Sequence, residues 1–512
     1  MYDYLVLGAG PAGLQLGYFF NQLGFDYQIL EGSESVGNFF KKFPRQRRLI
    51  SINKVVTGFD DPEMNLRWDW NSLLNDQLKF TDYSSKYFPS PDELVRYLGD
   101  FHERFDINVR TSFQVTRVAR GPAGFQVTGA CGTVLRSRYL VVATGLSKPH
   151  VPDFPGVELC EDYGSVSMDP NDFYGQRVLV LGKGNSALET ANNLVETTAC
   201  VHICSPEPVK LAWNTHFVGH ARAINNIFLE TYQLKSQNVV LDAWVERLER
   251  TDDGGLMCHI LYTHARGERR LIPFDRAILA TGFDFDASIY DEDCTPELAY
   301  KGKLPDMNAQ WESVNVPGMY FAGALMQMRD FKKTMSGFIH GFRHNICALA
   351  KILAEKNHDR PWRGATAQRE NSEVVDWVID RFNRSASMFL QPGFFGDVLV
   401  VHEDGQLEFL ADGPLQFLSN WERLEKATYY TFSLEYGDYS HITDSFAIDR
   451  DPDPSNAHMI EYLHPIIRKY QDGQCTGEHH LVEDLENDYD KDQYRKNLTE
   501  FFNKELGPVA AV

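Results

Sequence analysis

The first fourteen residues of the chain constrain its fold more than any other stretch. A hydrophobic segment runs directly into a glycine-rich turn, and a helical pattern of apolar side chains follows. Gly8 permits a tight turn, Gly10 lets the backbone approach a pyrophosphate, and Gly13 lets the helix pack on the strand. Pro11 and Ala12 lie at the start of this helix, whose positive N-terminus would face the phosphates. The pattern predicts a strand, a dinucleotide-binding turn and a helix.

A second strand pattern supports this interpretation. Residues 27–30 form a short strand-like run, and Glu31 follows it, twenty-three residues after Gly8. An acidic side chain at that place accepts hydrogen bonds from the ribose of an adenosine. The alternative is a glycine turn that binds no ligand. Because strand, turn, helix and acid occur in the expected order, we expect the N-terminal domain to bind one dinucleotide.

A second glycine turn lies near the middle of the chain. A strand pattern at residues 177–181 again leads into a turn and then a helix. The turn consists of Gly182, Gly184, Asn185, Ser186 and Ala187, with the alanine in the place of the third glycine, which the fingerprint allows. Since each turn can hold only one pyrophosphate, the chain is predicted to bind two dinucleotides, a redox prosthetic group and its reductant.

Small residues end the strands that return beside these turns. They let the backbone pass close to a bound cofactor. The residues are Ala143, Thr144, Gly145, Thr281, Gly282 and Gly323. A helix pattern at residues 335–342 follows, and its N-terminus is expected to face a flavin ring or its ribityl chain.

A basic loop, residues 41–48, interrupts an otherwise acidic chain. Such a run is often a solvated face. The local cluster also lies where the far end of a flavin or its pyrophosphate would be, so Arg48 is a candidate cofactor ligand. Both alternatives stay open from the sequence.

The fold class is predicted to be α/β. At 512 residues the chain is too long for one ordinary core. We expect two Rossmann-like, three-layer dinucleotide-binding domains, the second inserted in the first, and a C-terminal α+β extension that covers the active site. The expected boundaries are 1–150 and 286–360 for the FAD-binding domain, 151–285 for the inserted NAD(P)H-binding domain, and 361–512 for the extension. An acidic run with His479 and His480 is interpreted as a solvated helix face rather than a metal site.

Composition limits the partners. The formal charge of −21 argues against nucleic acid or an anionic membrane surface. No apolar run approaches the roughly 18 residues of a membrane helix, and the first strand begins at Asp3, so we expect a cytoplasmic protein. The eight cysteines include no CxxC pair, which favours core thiols and weakens a dithiol reductase.

The order of glycine turn, Ala-Thr-Gly strand, inserted turn and second Ala-Thr-Gly strand resembles the flavin-containing monooxygenase superfamily. The chain is most similar to the FAD-dependent oxidoreductase-domain family of endoplasmic-reticulum flavoproteins associated with degradation. The matching segments are residues 49–54, 69–73, 96–100, 184–187, 223–226, 231–236 and 337–343. The resemblance implies FAD as the prosthetic group and NADPH as its reductant, with NADH also open.

Two motifs depart from the superfamily pattern. Its Phe-x-Gly-x-x-x-His fingerprint is half present, because Phe154 and Gly156 are there but no histidine follows at the required spacing. The arginines expected to bind a 2′-phosphate are also missing after the strand at residues 199–203. Ser205 and Lys210 are the nearest candidates for that role.

The resemblance implies a single-component oxygenase that uses NAD(P)H and O2 to form a C4a-hydroperoxyflavin and oxidise a small molecule. Aromatic residues at Trp213, His216 and Phe217 make a phenolic or indolic substrate attractive, although core packing also explains them. Asn53, followed by Lys54, resembles the asparagine that holds the peroxyflavin in flavin monooxygenases, and these two are the candidate catalytic residues. The alternative is that Asn53 caps a turn.

Two other functions stay open. A non-oxygenating oxidoreductase would pass electrons to a protein partner. A single-component halogenase or brominase would direct the same oxygen chemistry at halide and would need a lysine near the flavin. Lys235 is the candidate, because an amine in a desolvated pocket can present hypohalous acid to an aromatic ring, although a structural lysine is the alternative. The sequence does not assign an oligomeric state.

Overall fold

A computed structural model describes residues 1–235, 237–367, 371–439, 441–442, 444 and 446–507. Ser236, at the end of one resemblance segment, lies outside the described residues. The described residues build two α/β sheets of the dinucleotide-binding kind and a separate antiparallel sheet near the C-terminus. The predicted fold class is confirmed.

The first sheet begins with the N-terminal strand. Its leading strands are β1 (Tyr2–Leu7), β2 (Tyr27–Leu30), β3 (Val109–Arg110), β4 (Val115–Gly121), β5 (Gly124–Gly129) and β6 (Val134–Val142). The spatial order is β3-β2-β1-β6-β5-β4, with β1, β2, β3 and β6 parallel. The side chains of β1 from Tyr4 to Leu7 are almost completely buried, as expected for a central parallel strand covered on both faces.

Helices connect these strands. They are α1 (Pro11–Leu23), α2 (Phe39–Lys42), α3 (Pro62–Asn65) and α4 (Pro91–Arg104). Helix α4 begins where the sequence predicts a helix start, because Ser90 and Glu93 form a capping box around Pro91. Helix α1 ends at Gly24, whose φ of 66° suits glycine.

The second sheet belongs to the inserted segment. A two-stranded sheet, β7 (Lys148–Pro149) with β15 (Phe283–Asp284), flanks it. The strands of the second sheet itself are β8 (Glu161–Asp162), β9 (Arg177–Leu181), β10 (Cys200–Ser205), β11 (Val239–Arg250), β12 (Leu256–Tyr262), β13 (Arg269–Phe274) and β14 (Arg276–Leu279). The order is β13-β12-β11-β10-β9-β14-β8. Helices α5 (Asn185–Leu194), α6 (Ala212–Thr215) and α7 (Ile227–Gln233) accompany them. Strands β7 and β15 pair, so the two ends of the inserted segment lie side by side.

The chain then returns to the first sheet. A short hairpin, β16 (Leu298–Ala299) and β17 (Leu304–Pro305), precedes β18 (Met319–Phe321), which pairs in parallel with β6. Helix α8 (Ile339–His358) follows and packs against α1. Residues before and after the insertion therefore share one core.

The C-terminal extension is an antiparallel sheet accompanied by four α-helices in the described residues. Its strands are β19 (Ala365–Ala367), β20 (Phe395–Val401), β21 (Leu407–Pro414), β22 (Thr428–Glu435), β23 (His464–Gln471) and β24 (Gln474–His480). Its helices are α9 (Asn371–Arg384), α10 (Ala386–Leu390), α11 (Leu415–Leu418) and α12 (Asp492–Leu506). The helices α9 and α12 cover the sheet through their own hydrophobic cluster.

The interpretation of His479 and His480 as part of a helix face is wrong. Both lie at the end of strand β24, and the acidic residues beyond them form a loop before α12. A ring nitrogen of His479 lies 2.7 Å from Asn497 Oδ1, and one of His480 lies 2.6 Å from Glu478. Within the described ranges, no group of three or more His, Cys, Asp or Glu side chains is arranged to hold a metal ion.

Buried charges tie the extension to the first domain. Arg381 of α9 contacts Glu63 of α3 at 3.0 Å, Asp397 at 2.5 Å and Asp412 at 2.8 Å. Within the first domain, the fully buried Arg343 of α8 donates to the carbonyl oxygens of residues 66, 69 and 72 at 2.7–2.8 Å. These contacts fix the segment that carries Trp70.

Nowhere in the described part of the chain is a helix both long and apolar enough to cross a membrane.

Candidate active site

The first glycine turn has the geometry that a bound pyrophosphate requires. Gly8 has a φ of 100°, and a Cβ there would lie 2.8 Å from the carbonyl oxygen of Ala143. A Cβ at Gly13 would lie 2.1 Å from the carbonyl oxygen of Gly8. A Cβ at Gly10 would meet nothing within 4 Å, so this glycine leaves open space at the N-terminus of α1. Protein packing explains two of the glycines, and the open space at the third would admit a pyrophosphate.

Glu31 is held at the end of β2 in position for a ribose. Its two carboxylate oxygens accept hydrogen bonds from the backbone N–H groups of Ala9 and Ser33, both at 2.9 Å. Each oxygen keeps acceptor capacity, because an ionised carboxylate has about four lone-pair sites. The open turn and the spare acceptor therefore fit the adenosine diphosphate half of a dinucleotide such as FAD.

The strand ends predicted to lie beside this turn do so. The backbone N–H of Ala322 donates to Val142 at 2.9 Å, which places Gly323 beside the Ala143–Gly145 segment. A Cβ at Gly323, where φ is 75°, would lie 2.6 Å from the Cβ of Ala12. Thr144 and Gly145 follow β6 at the same edge, and Gly145 has a φ of 64° with open space around it.

The second glycine turn repeats this geometry. Gly182 has a φ of 125°, and a Cβ there would lie 2.3 Å from the carbonyl oxygen of Ala280. Gly184 is exposed with nothing within 4 Å, and Ala187 is buried. The turn can thus accept a second pyrophosphate at the N-terminus of α5. Ser186, Thr281 and Gly282 line one cleft beside it.

Asn185 serves the protein scaffold. Its Oδ1 accepts from the backbone N–H of Arg222 at 2.9 Å and from Asn225 Nδ2 at 3.0 Å, while its Nδ2 donates to the carbonyl oxygen of His220 at 2.8 Å. The side chain therefore anchors the segment 220–225 to the turn. Because the side-chain amide of Asn185 is used by these hydrogen bonds, a cofactor at this turn would contact the backbone of Asn185.

The predicted 2′-phosphate ligands, Ser205 and Lys210, differ in their surroundings. Ser205 ends β10, and its hydroxyl donates to the carbonyl oxygen of Glu207 at 3.1 Å. Lys210 is exposed, and burial lowers the pKa of His220 and of Lys332, with the charge of Lys210 adding to both shifts. The cation beside Ser205 is Lys183, from within the glycine turn, which the sequence reasoning missed.

The basic loop joins the two α/β domains. Arg45 donates to the carbonyl oxygens of Gly164 at 3.0 Å and Val166 at 2.7 Å, both in the inserted segment. Arg48 is exposed and lies near enough to Glu189 of α5 to affect its titration. Burial raises the pKa of Glu189 to about 7, and its hydrogen bond from Tyr163 and the charge of Arg48 oppose this effect. The basic loop is therefore more than a solvated face, because it connects the first domain to the inserted segment.

Asn53 is buried and partly committed to the backbone. Its Nδ2 donates to the carbonyl oxygens of Ser84 at 2.7 Å and Lys86 at 3.2 Å. Its Oδ1 is buried and has no hydrogen-bond partner within the described ranges. The alternative that Asn53 holds a turn therefore explains its Nδ2 hydrogen bonds. It leaves Oδ1 free to accept a hydrogen bond from a ligand. Lys54 is exposed.

An aromatic wall, missed by the sequence reasoning, lies beside Asn53. Residues 52–54 run antiparallel to residues 68–70, which brings Trp70 next to this strand. Trp70 stacks on His340 at 4.1 Å between ring centroids, and His340 stacks on Phe338 at 5.8 Å. Both ring nitrogens of His340 are buried and have no partner among the described residues, and burial lowers its pKa well below the usual value. The imidazole is therefore neutral.

The expectation of a desolvated Lys235 is wrong. Lys235 is exposed, just beyond the C-terminus of α7, with a φ of 59°. By contrast, Phe217 is buried and lies 5.9 Å from Phe338 between ring centroids, so this aromatic residue reaches the wall. Trp213 and His216 instead contact Phe446 and Tyr436 of the extension.

The sequence matches the profile of the pyridine nucleotide-disulphide oxidoreductase family over residues 5–323, a range that contains both glycine turns. The chain belongs to this family. It is also 37% identical over 541 residues to FAD-dependent oxidoreductase domain-containing protein 2 of Mus musculus, and the match covers 95% of the chain and 81% of that protein. The resemblance inferred from the sequence is confirmed, and the protein is a flavin-dependent oxidoreductase whose cofactor is FAD.

Solved structures of two activities share the fold of this flavoprotein. A flavin-containing monooxygenase from Stenotrophomonas maltophilia has a TM-score of 0.53 at 18% identity, covering 69% of the chain and 98% of its own. The bacillithiol disulfide reductase YpdA from Bacillus cereus also has a TM-score of 0.53 at 18% identity, covering 70% and 99%. Because the two match equally well, the fold does not distinguish oxygenase from reductase.

Proposed function

We propose that this flavoprotein is a single-component FAD-dependent oxygenase that uses NAD(P)H and O2 to oxidise a small aromatic molecule, by hydroxylation or by halogenation such as bromination. The observation that carries the proposal is a group in which the buried Asn53, with its Oδ1 unpaired among the described residues, lies on a segment beside the stacked rings of Trp70, His340 and Phe338. Its rings suit a planar substrate, and its unpaired polar atoms suit a hydroxyl or N–H group.

The two turns divide the cofactors between them. We assign FAD to the first turn, where Gly10 leaves room for the pyrophosphate and Glu31 accepts from the ribose. FAD bound there would accept a hydride from the reductant and deliver the electrons to O2. The second turn, at Gly182 and Gly184, is assigned to NAD(P)H, with NADPH favoured by the resemblance and NADH also accepted.

Asn53 is proposed to act as an acceptor. Because Nδ2 already donates to two carbonyl oxygens, Oδ1 is the polar atom of this side chain that remains for a ligand. It can orient a substrate hydroxyl or a cofactor N–H. Neutral His340, stacked on Trp70, adds one donor and one acceptor and no charge. Lys54 and Lys235 are both exposed. A catalytic role for Lys54, or a role of Lys235 in halogenation, is therefore proposed only as a hypothesis that substitution of each lysine tests.

A second candidate function is electron transfer to a protein partner without oxygenation. It is supported by apolar side chains exposed close to Asn53, whose backbone N–H donates to the carbonyl oxygen of Tyr87 at 2.9 Å. Val56 is 78% exposed and Tyr87 is 50% exposed, and Val55 and Phe59 are also exposed. A surface patch of this kind fits a docking protein.

Product analysis distinguishes the two functions. The purified FAD-loaded protein is incubated with NADPH or NADH, O2 and a panel of phenols and indoles, with and without bromide. We expect O2 uptake and a hydroxylated or brominated product by mass spectrometry, reduced strongly in Asn53→Ala and little in Lys54→Ala. Oxidation of NAD(P)H only in the presence of a protein electron acceptor, with no modified small molecule, would instead support electron transfer.

A further inference from the structure

The side chain of Lys183 is saturated by the protein. Lys183 lies in the second glycine turn and only 5% of its side chain is exposed. Its ammonium donates to the carbonyl oxygens of Ser205 at 3.0 Å and Glu207 at 2.9 Å, and it pairs with the carboxylate of Asp242. An ammonium has three N–H donors. The three acceptors therefore use every donor of this lysine.

These contacts lie at the ribose edge of the second turn. Strands β9, β10 and β11 are parallel neighbours, and Ser205 is in register with Asp242. In a dinucleotide-binding sheet the adenosine ribose lies at the carboxyl ends of such strands. Asp242, whose side chain is 30% exposed, thus places a carboxylate at the edge where a 2′-hydroxyl or 2′-phosphate would arrive.

The same edge is poor in donors for a phosphate. Pro206 and Pro208 have no backbone N–H, and the hydroxyl of Ser205 is directed to the carbonyl oxygen of Glu207. Lys210 is exposed. A 2′-phosphate arriving here would meet Asp242 and a lysine that Asp242 already neutralises.

We propose that the Lys183–Asp242 pair determines coenzyme choice by withholding the lysine from a 2′-phosphate, so that NADH is accepted along with NADPH. This inference rests on the proposed binding of NAD(P)H at the second turn. Removing the charge of Asp242 frees Lys183 for the phosphate and removes a repulsive carboxylate, and both changes favour NADPH. If the pair only holds the loop 205–207, its loss affects both coenzymes equally.

Two nucleotide fragments test the proposal without requiring turnover. Calorimetry measures binding of 2′,5′-ADP and 5′-AMP to the FAD-loaded wild type, Asp242→Asn, Lys183→Met and the double variant. The ratio of the two affinities should shift toward 2′,5′-ADP by about tenfold or more in Asp242→Asn. The shift should be much smaller in the double variant, which lacks the ammonium and keeps only the loss of the repulsive carboxylate. Flavin content and thermal midpoints establish that each variant is folded.

Three outcomes would overturn the inference. An unchanged affinity ratio in Asp242→Asn, with both fragments bound, contradicts coenzyme selection while leaving the proposed function intact. A shift of the same size in the double variant shows that the ammonium of Lys183 contributes nothing to the selectivity. Absence of binding of both fragments to the wild type contradicts the assignment of NAD(P)H to the second turn, and the inference fails with it.

Discussion

Replacing Gly10 by alanine should separate cofactor binding from folding. The φ of Gly10 is −77°, which alanine adopts readily, and the added Cβ meets nothing within 4 Å in the protein. The methyl group would instead occupy space that the pyrophosphate of FAD needs at the N-terminus of α1. We therefore expect Gly10→Ala to fold normally and to bind FAD weakly.

The size of the effect follows from the contacts that the phosphate would lose. A hydrogen bond to a charged group contributes about 1.5–3 kcal/mol, and the helix dipole adds about 0.3–1 kcal/mol. Losing one such bond and part of the dipole interaction weakens FAD binding by about 2–4 kcal/mol, which is roughly 30- to 1,000-fold in Kd.

The assay is FAD titration of deflavinated protein by fluorescence quenching, with the thermal midpoint of the apoprotein measured alongside. Gly99→Ala is the matched control, because Gly99 lies in α4 and also has nothing within 4 Å of a Cβ. It should stabilise the protein by about 0.5–1 kcal/mol and leave the Kd of FAD unchanged. An FAD affinity of Gly10→Ala equal to that of the wild type would refute the assignment of this turn.

Three other substitutions test separate parts of the site. Glu31→Ala should lower the FAD content of the purified protein, measured by flavin absorbance, because it removes the ribose acceptor and two bonds that hold the turn. Since burial raises the pKa of Glu189 to about 7 from 4.5, its stabilising contribution is lost as pH rises through this range. The wild-type thermal midpoint should therefore fall relative to Glu189→Gln between about pH 5 and pH 8, and parallel curves would contradict this. Lys235→Ala should leave the yield of any brominated product unchanged, because Lys235 is exposed, and loss of bromination would restore its proposed role.

The sequence predicts the two turns well because their requirements are local. Gly8 has a positive φ, and Gly13 packs against the carbonyl oxygen of Gly8 within the same short segment. Both requirements are met by glycine and can be predicted from the spacing of the glycines. The capping box around Pro91 is equally local. Such features depend on a few neighbouring residues, so a motif carries most of the information.

Packing between distant segments decides what the sequence misses. Lys235 looks similar to a reactive lysine, but its exposure depends on how α7 lies on the inserted sheet. Trp70 and His340 are 270 positions apart and meet only because α8 returns to the first domain. His479 and His480 lie on a strand because β23 pairs with β24, which no helical period could indicate. Burial and partners of these side chains are properties of the tertiary structure.

The central claim is that electrons from NAD(P)H reach O2 in this flavoprotein and are used to modify a small aromatic molecule. The most direct measurement follows NAD(P)H consumption, O2 uptake and product formation together in one reaction with the FAD-loaded protein. We predict that the three are equimolar with the preferred phenol or indole, and that little hydrogen peroxide accumulates. Two results across the full substrate panel would contradict this prediction. One is NAD(P)H oxidation that yields only hydrogen peroxide, and the other is the absence of NAD(P)H oxidation unless a protein electron acceptor is added.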